Sequence, residues 1–211
     1  MKTAVMGAVP LCSGNHVASA DNDNISYTDI METKKNPIIL IGYRGTGKTT
    51  IARKIAGQLA IPVKDSDAEI ECRAGKTIAE IFGQDGEAVF RDLEESVIAE
   101  ILHSGERLVM ATGGGAVLRS STRELLRRSG TVFWLTATPA TLLHRISGDI
   151  HSKTMRPNLT PLPMMEEIAS VLEKRIPLYQ STAHQTVCTE SATPDEIAQW
   201  IIDHAEPPFC V

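Results

Sequence analysis

Pro37-Ile-Ile-Leu-Ile41-Gly42-Tyr-Arg-Gly45-Thr46-Gly47-Lys48-Thr49-Thr50 is the stretch that decides the fold. Its first five residues are an apolar run that stops at a glycine. A strand buried on both faces of a parallel sheet reads this way, because neither face meets water. The next residues fit G-x-x-x-x-G-K-[ST], a loop that wraps phosphates. Glycines let backbone N–H groups turn inward around an anion. In that pattern Lys48 reaches the outer phosphates and Thr49 ligates Mg²⁺, while the helix that follows points its positive end at the same anion. The competing explanation is a chance glycine-rich turn. Context argues against it: a strand precedes the loop, and residues 49–59 have helical spacing with Ile51, Ile55 and Leu59 on one stripe.

Outward from that loop, strand and helix patterns alternate, and no internal repeat interrupts them. Residues 61–65, 107–111, 131–135 and 184–189 read as further strands. Residues 68–82 and 86–103 read as helix, broken near Gly75 and Gly83; 120–128, 139–146, 164–179 and 194–204 read as helix too. The polar, proline-interrupted residues 147–163 lack periodicity and read as a mobile loop. Alternation of this kind predicts an α/β fold with a parallel sheet and helices on both faces. Ligands of such sheets bind at the carboxyl ends of the strands. Segments 42–50, 65–67, 112–115 and 136–139 lie there, and the first three carry chemistry.

Asp65-Ser66-Asp67 follows the second strand. On extended backbone, residues two apart point the same way, so both carboxylates would face one site. Asp65 suits Mg²⁺, through water, and Asp67 a substrate hydroxyl. The alternative is a helix cap by Ser66 or Asp67. Arg91 and Glu94, three apart in a helix, share a face. They form either a surface pair or a device in which Glu94 stiffens Arg91 to grip a substrate carboxylate. Gly113-Gly114-Gly115 makes sense where a ligand lies against bare backbone, or as a flexible turn. Arg156, inside the 147–163 loop, is suited to closing over transferred phosphate. Arg175 sits on a charged helix.

The 211 residues, 42% of them hydrophobic, suffice for one well-buried domain. Net charge of −5 and a pI near 5.7 exclude the overall basic character of a nucleic-acid binder. No apolar run reaches the ~20 residues that span a bilayer. Cys12, Cys72, Cys188 and Cys210 are scattered, as reduced cytosolic thiols are. Residues 1–34 are expected to be a polar, disordered tail, with Met31 an alternative start, and 206–211 a short C-terminal tail. An apolar stretch at 4–12 followed by Ala18-Ser19-Ala20 loosely has the form of a secretory signal, but Gly7 and Pro10 interrupt it, so a cytoplasmic protein is expected.

The order and spacing of these motifs, over about residues 37–202, resemble the shikimate kinase family. The resemblance implies a three-layer P-loop kinase fold of the nucleoside-monophosphate-kinase type, with a five-stranded parallel sheet and a mobile lid near 147–163. It implies ATP and shikimate as substrates, Mg²⁺ as cofactor and a monomer. It assigns Gly45, Thr46, Gly47, Lys48, Thr49 and Thr50 to ATP, with Arg156 from the lid. Thr49 and Asp65 fall to the metal. Asp67, Arg91, Gly113, Gly114, Gly115 and Arg175 fall to shikimate, with Gly114 against the substrate. Lys48, Asp67 and Arg156 would be catalytic. The lid reads Arg-Pro-Asn-Leu where Arg-Pro-Leu-Leu is more usual. No basic residue follows the last strand, which leaves Arg145 as the candidate for the adenine side. The rival is a kinase of gluconate or of a nucleoside monophosphate on the same scaffold. Two arginines converging on one small carboxylate disfavour the nucleotide, and turnover separates gluconate from shikimate.

Overall fold

Alternate residues of the first strand feed two different cores, and the rest of the architecture follows from that. The computed structural model describes residues 36–148 and 163–205. Strand β1, Ile38–Ile41, is buried throughout. Ile38 and Leu40 pack with Ile51, Ile55, Ile197 and Ile201, whereas Ile39 and Ile41 pack with Ile70, Phe90, Leu126 and Tyr179. A strand with apolar side chains on both faces needs a helical layer on each.

The remaining elements, in chain order, are α1 (Lys48–Leu59), β2 (Val63–Asp65), α2 (Ser66–Ala74), α3 (Ile78–Gln84), α4 (Gly86–His103), β3 (Val109–Ala111), α5 (Ser120–Ser129), β4 (Thr131–Thr136), α6 (Pro139–Gly148), α7 (Met164–Thr182), β5 (Gln185–Cys188) and α8 (Pro194–His204). The sheet order is β2-β3-β1-β4-β5 and every pairing is parallel. Ile38 faces Val109 on one side and Thr131 on the other, which puts the ends of β1, β3 and β4 at one edge of the sheet. α1 and α8 cover one face; α2, α4, α5 and α7 cover the other.

Local chemistry sets the element ends. Gly47, at φ 88°, starts α1. The break near Gly75 is a left-handed C-cap followed by a capping box, in which Thr77 and Glu80 exchange hydrogen bonds. The break expected near Gly83 falls instead at Asp85, and Gly83 stays helical. β2 is shorter than the pattern suggests, because Ile61 N–H bonds back to Ala56 O and Pro62 has no N–H to give. α7 runs through Pro177 to Thr182, whose hydroxyl donates to Leu178 O. Ser147 and Gly148 belong to α6, not to a loop. Residues 149–162 of the expected lid, Arg156 included, and both expected tails lie outside the described residues. Among the described residues, no helix is long and apolar enough to cross a membrane.

Candidate active site

The turn from β1 into α1 holds its shape through backbone that other residues resist. Gly42, Gly45 and Gly47 have φ of 143°, 81° and 88°. A Cβ on Gly42 would lie 2.5 Å from Leu135 O of the neighbouring strand. Thr46 closes the loop through its hydroxyl, which donates to Tyr43 O at 2.8 Å. Lys48 Nζ is drawn over the loop, 2.9 Å from both Gly42 O and Tyr43 O. Thr49 donates its hydroxyl to Asp65 at 2.8 Å, and Thr50 lies exposed one residue further along α1.

The structure separates the two aspartates. The strand ends at Asp65, which caps α2 by accepting from Asp67 N–H at 3.1 Å. Asp67 is already helical, so the two-residue alternation of a strand does not carry across. Asp65 faces Thr49, and Asp67 faces a cavity of about 320 Å³ beside the P-loop. The cap is Asp65, not Ser66 or Asp67; Ser66 instead accepts from Gly113 N–H at 2.9 Å.

Arg91 and Glu94 line that cavity from α4, joined at 2.6 Å and both buried. A surface pair is thereby excluded. Glu87, one turn earlier, adds contacts of 3.2 and 3.3 Å, and the guanidinium lies 5.0 Å from the Phe90 ring. Burial raises the Glu94 carboxyl above its ordinary value, while the positive charge and hydrogen bonds of Arg91 pull it back. Glu94 Oε1 is buried with no hydrogen-bond partner.

The glycine triplet closes the cavity floor. A Cβ on Gly113 would stand 2.5 Å from Asp67 Oδ1, and one on Gly115 would stand 2.5 Å from Arg91 Nη2. At these two positions the room is filled by the protein's own side chains. Gly114 is less crowded, with its nearest atoms at 3.5 Å. Its carbonyl accepts from Arg175 at 3.1 Å and from Tyr179 Oη at 2.6 Å, which brings α7 into the site. Burial pushes the Tyr179 phenol up to about 12, so it remains a donor at neutral pH.

Arg91, Arg175, Asp67 and the glycines therefore meet in one cavity, next to a loop that carries Lys48 and Thr49. Arg145 bonds Gly45 O and both oxygens of Thr189, at the opposite side of the P-loop. Sequence reasoning missed Glu87, Tyr43, Arg44, Phe82 and Tyr179. Glu87 and Tyr179 lie four residues from Arg91 and Arg175, a spacing that places them on the same helical faces. The others carry no such signal.

A family model described as shikimate kinase matches residues 44–206. The shikimate kinase of Rhodopirellula baltica is 39% identical over 174 residues, covering 82% of this chain and 92% of the relative. That of Thermobifida fusca is 44% identical over 165 residues, covering 77% and 91%. Among solved structures, shikimate kinase from Acinetobacter baumannii in complex with shikimate matches with a TM-score of 0.75 and 36% identity, over 84% of this chain and 96% of that one. A family match over residues 44–206, together with identities of this size over most of both partners, fixes the assignment. This chain belongs to the shikimate kinase family.

Proposed function

We propose that this chain transfers the γ-phosphoryl group of ATP to the 3-hydroxyl of shikimate, giving 3-phosphoshikimate and ADP. The observation that carries the reading is the buried Arg91–Glu94 pair at 2.6 Å, in the same cavity as Asp67 and adjoining the P-loop. An arginine fixed by a buried carboxylate is a preorganised fork for the carboxylate of a small acid. Arg175 supplies the second cation, and the backbone at Gly113, Gly114 and Gly115 the surface against which the ring lies. The related Acinetobacter baumannii enzyme was solved in complex with shikimate, which supports the same acceptor here.

In the reaction, the acceptor oxygen bonds to the γ-phosphorus as the bond to the β,γ-bridging oxygen breaks. The hydroxyl proton passes to Asp67 and ADP leaves. Backbone N–H groups from Gly45 to Thr50 hold the phosphates. Lys48 gives up its two carbonyl partners to neutralise them, and Arg156 adds a cation from the lid. The Thr49 hydroxyl and Asp65 carboxylate, 2.8 Å apart, are hard oxygen donors of the kind Mg²⁺ takes alongside water and phosphate. When bound, that ion supplies charge neutralisation at the phosphates. The anchoring of Arg145 between Gly45 and Thr189 supports placing it on the adenine side. ATP dependence supports the cytoplasm.

A coupled assay of ADP release with ATP and Mg²⁺, run with shikimate and gluconate side by side, tests the reading. Shikimate-dependent release well above the gluconate rate is expected. Equal rates, or release with gluconate alone, would remove shikimate as the preferred acceptor.

A further inference from the structure

The P-loop carries an arginine of its own. Arg44 sits between Gly42 and Gly45, lines the same cavity as Arg91 and Arg175, and pairs with Glu167 at 2.7 Å. The pair is deeply placed: the Glu167 side chain is 1% exposed and that of Arg44 11%. Glu167 lies in the first turn of α7. One stripe of that helix, at four-residue steps, is Glu167, Val171, Arg175 and Tyr179. Val171 lines the cavity, and Arg175 and Tyr179 both bond Gly114 O.

Pro177 divides this stripe. Inside a helix, proline lacks the N–H that would bond the carbonyl four residues earlier, here Glu173, and its ring crowds that turn. The helix is therefore weakest just after Arg175. Tyr179, stacked on Trp134 at 5.7 Å, anchors the part beyond the proline. Arg175 itself belongs to the part before it, about 12 Å from Glu167 at 1.5 Å per residue. The tie from Glu167 to Arg44 anchors that part to the P-loop.

We infer that Glu167 is a positioning residue for the acceptor, acting through Arg44: their buried ion pair fixes the half-helix that presents Arg175 in register with the phosphate-binding loop. The inference rests on the acceptor reading above. It adds Arg44 and Glu167 to the determinants of acceptor binding, although Arg44 fills an unspecified position of the P-loop motif and Glu167 lies in no motif. Outright removal of a charge-assisted hydrogen bond weakens binding about 10- to 150-fold, and misplacing Arg175 forfeits part of that.

Two variants test this by steady-state kinetics and thermal melting. Glu167→Gln is expected to raise KM for shikimate about three- to tenfold while changing KM for ATP less than about twofold. Removing one partner of a buried pair also destabilises the fold, whereas replacing both by apolar groups is often neutral. The double variant Arg44→Met/Glu167→Met is therefore expected to regain the wild-type melting temperature yet keep the raised KM for shikimate. A double variant that regains both would make the pair a structural brace only and overturn the inference. So would an equal rise of both KM values in Glu167→Gln, or no rise in either. Absence of shikimate turnover in the wild type would sink the acceptor reading and this inference with it; normal wild-type turnover beside an unaffected Glu167→Gln sinks the inference alone.

Discussion

Glu94 accepts from the Arg91 guanidinium at 2.6 Å from one helical turn away, and the two side chains form a single buried unit in the cavity wall. Charged groups at this depth must be paired, because an isolated buried charge is costly. The pairing leaves the other guanidinium edge within reach of Glu87, at 3.2 Å, whose side chain is mostly exposed. A substrate carboxylate can displace that weaker contact without disturbing Glu94. Arg91→Ala is expected to raise KM for shikimate about 10- to 150-fold and KM for ATP far less. Arg91→Lys should recover only part of the loss, since a point charge cannot bond two oxygens at once. Equal weakening toward both substrates would show that Arg91 is structural.

The raised Glu94 carboxyl makes a pH prediction with a definite sign. The folded state holds the Glu94 proton more tightly than the unfolded chain, whose value is the ordinary 4.5. The stability that follows is fully present below 4.5 and is lost as pH rises through the raised folded value. Glu94→Gln cannot titrate. The melting temperature of wild type minus that of Glu94→Gln should therefore grow as pH falls from neutrality toward 4.5. In the same window, protonation loosens the grip on Arg91, so wild-type kcat/KM for shikimate should fall earlier than that of the variant. A melting difference that is constant with pH would count against a raised Glu94.

The glycine triplet predicts a graded series. Alanine at Gly115 would place its Cβ 2.5 Å from Arg91 Nη2 and 2.7 Å from Cζ. The guanidinium has to move, and its bond to Glu94 moves with it. A misplacement on the order of 1 Å in a binding group costs up to about 100-fold, so a rise of roughly 10- to 100-fold in KM for shikimate is expected. Alanine at Gly113 meets Asp67 Oδ1 at 2.5 Å and Glu94 Oε1 at 2.9 Å, and should lower kcat as well. Gly114→Ala meets no protein atom closer than 3.5 Å. Any loss it shows in shikimate binding, with melting unchanged, reports the ring lying on that residue; no loss would remove Gly114 from the proposed contacts.

Lys48→Ala should lower kcat by at least ~100-fold, the usual worth of a preorganised charge at the transition state. Its two bonds to Gly42 O and Tyr43 O make it part of the loop, so the melting temperature should fall slightly rather than stay fixed. Circular dichroism alongside turnover separates the effects. Retention of more than about a tenth of wild-type kcat would remove Lys48 from the phosphoryl-transfer step.

The amino-acid sequence alone carried the parallel sheet, the phosphate-binding turn and the family. Each rests on local chemistry: an apolar run with no polar face, glycines where φ is positive, and a Lys-Thr pair at a helix start. Such signals survive in one dimension because sterics and hydrogen bonding act between neighbours. It also placed Glu94 three residues after Arg91, on the same helical face, but could not choose between a surface pair and a buried one, since burial depends on what α3 and the glycine triplet bring over α4. Packing in three dimensions settled that choice. It also decided the parting of Asp65 from Asp67, which turns on where β2 stops and α2 begins. The Arg44–Glu167 tie was beyond any spacing rule: its partners lie 123 residues apart and meet only because α7 packs back across the carboxyl edge of the sheet. Contacts of that kind are set by how helices cover a sheet, and no periodicity within either segment encodes them.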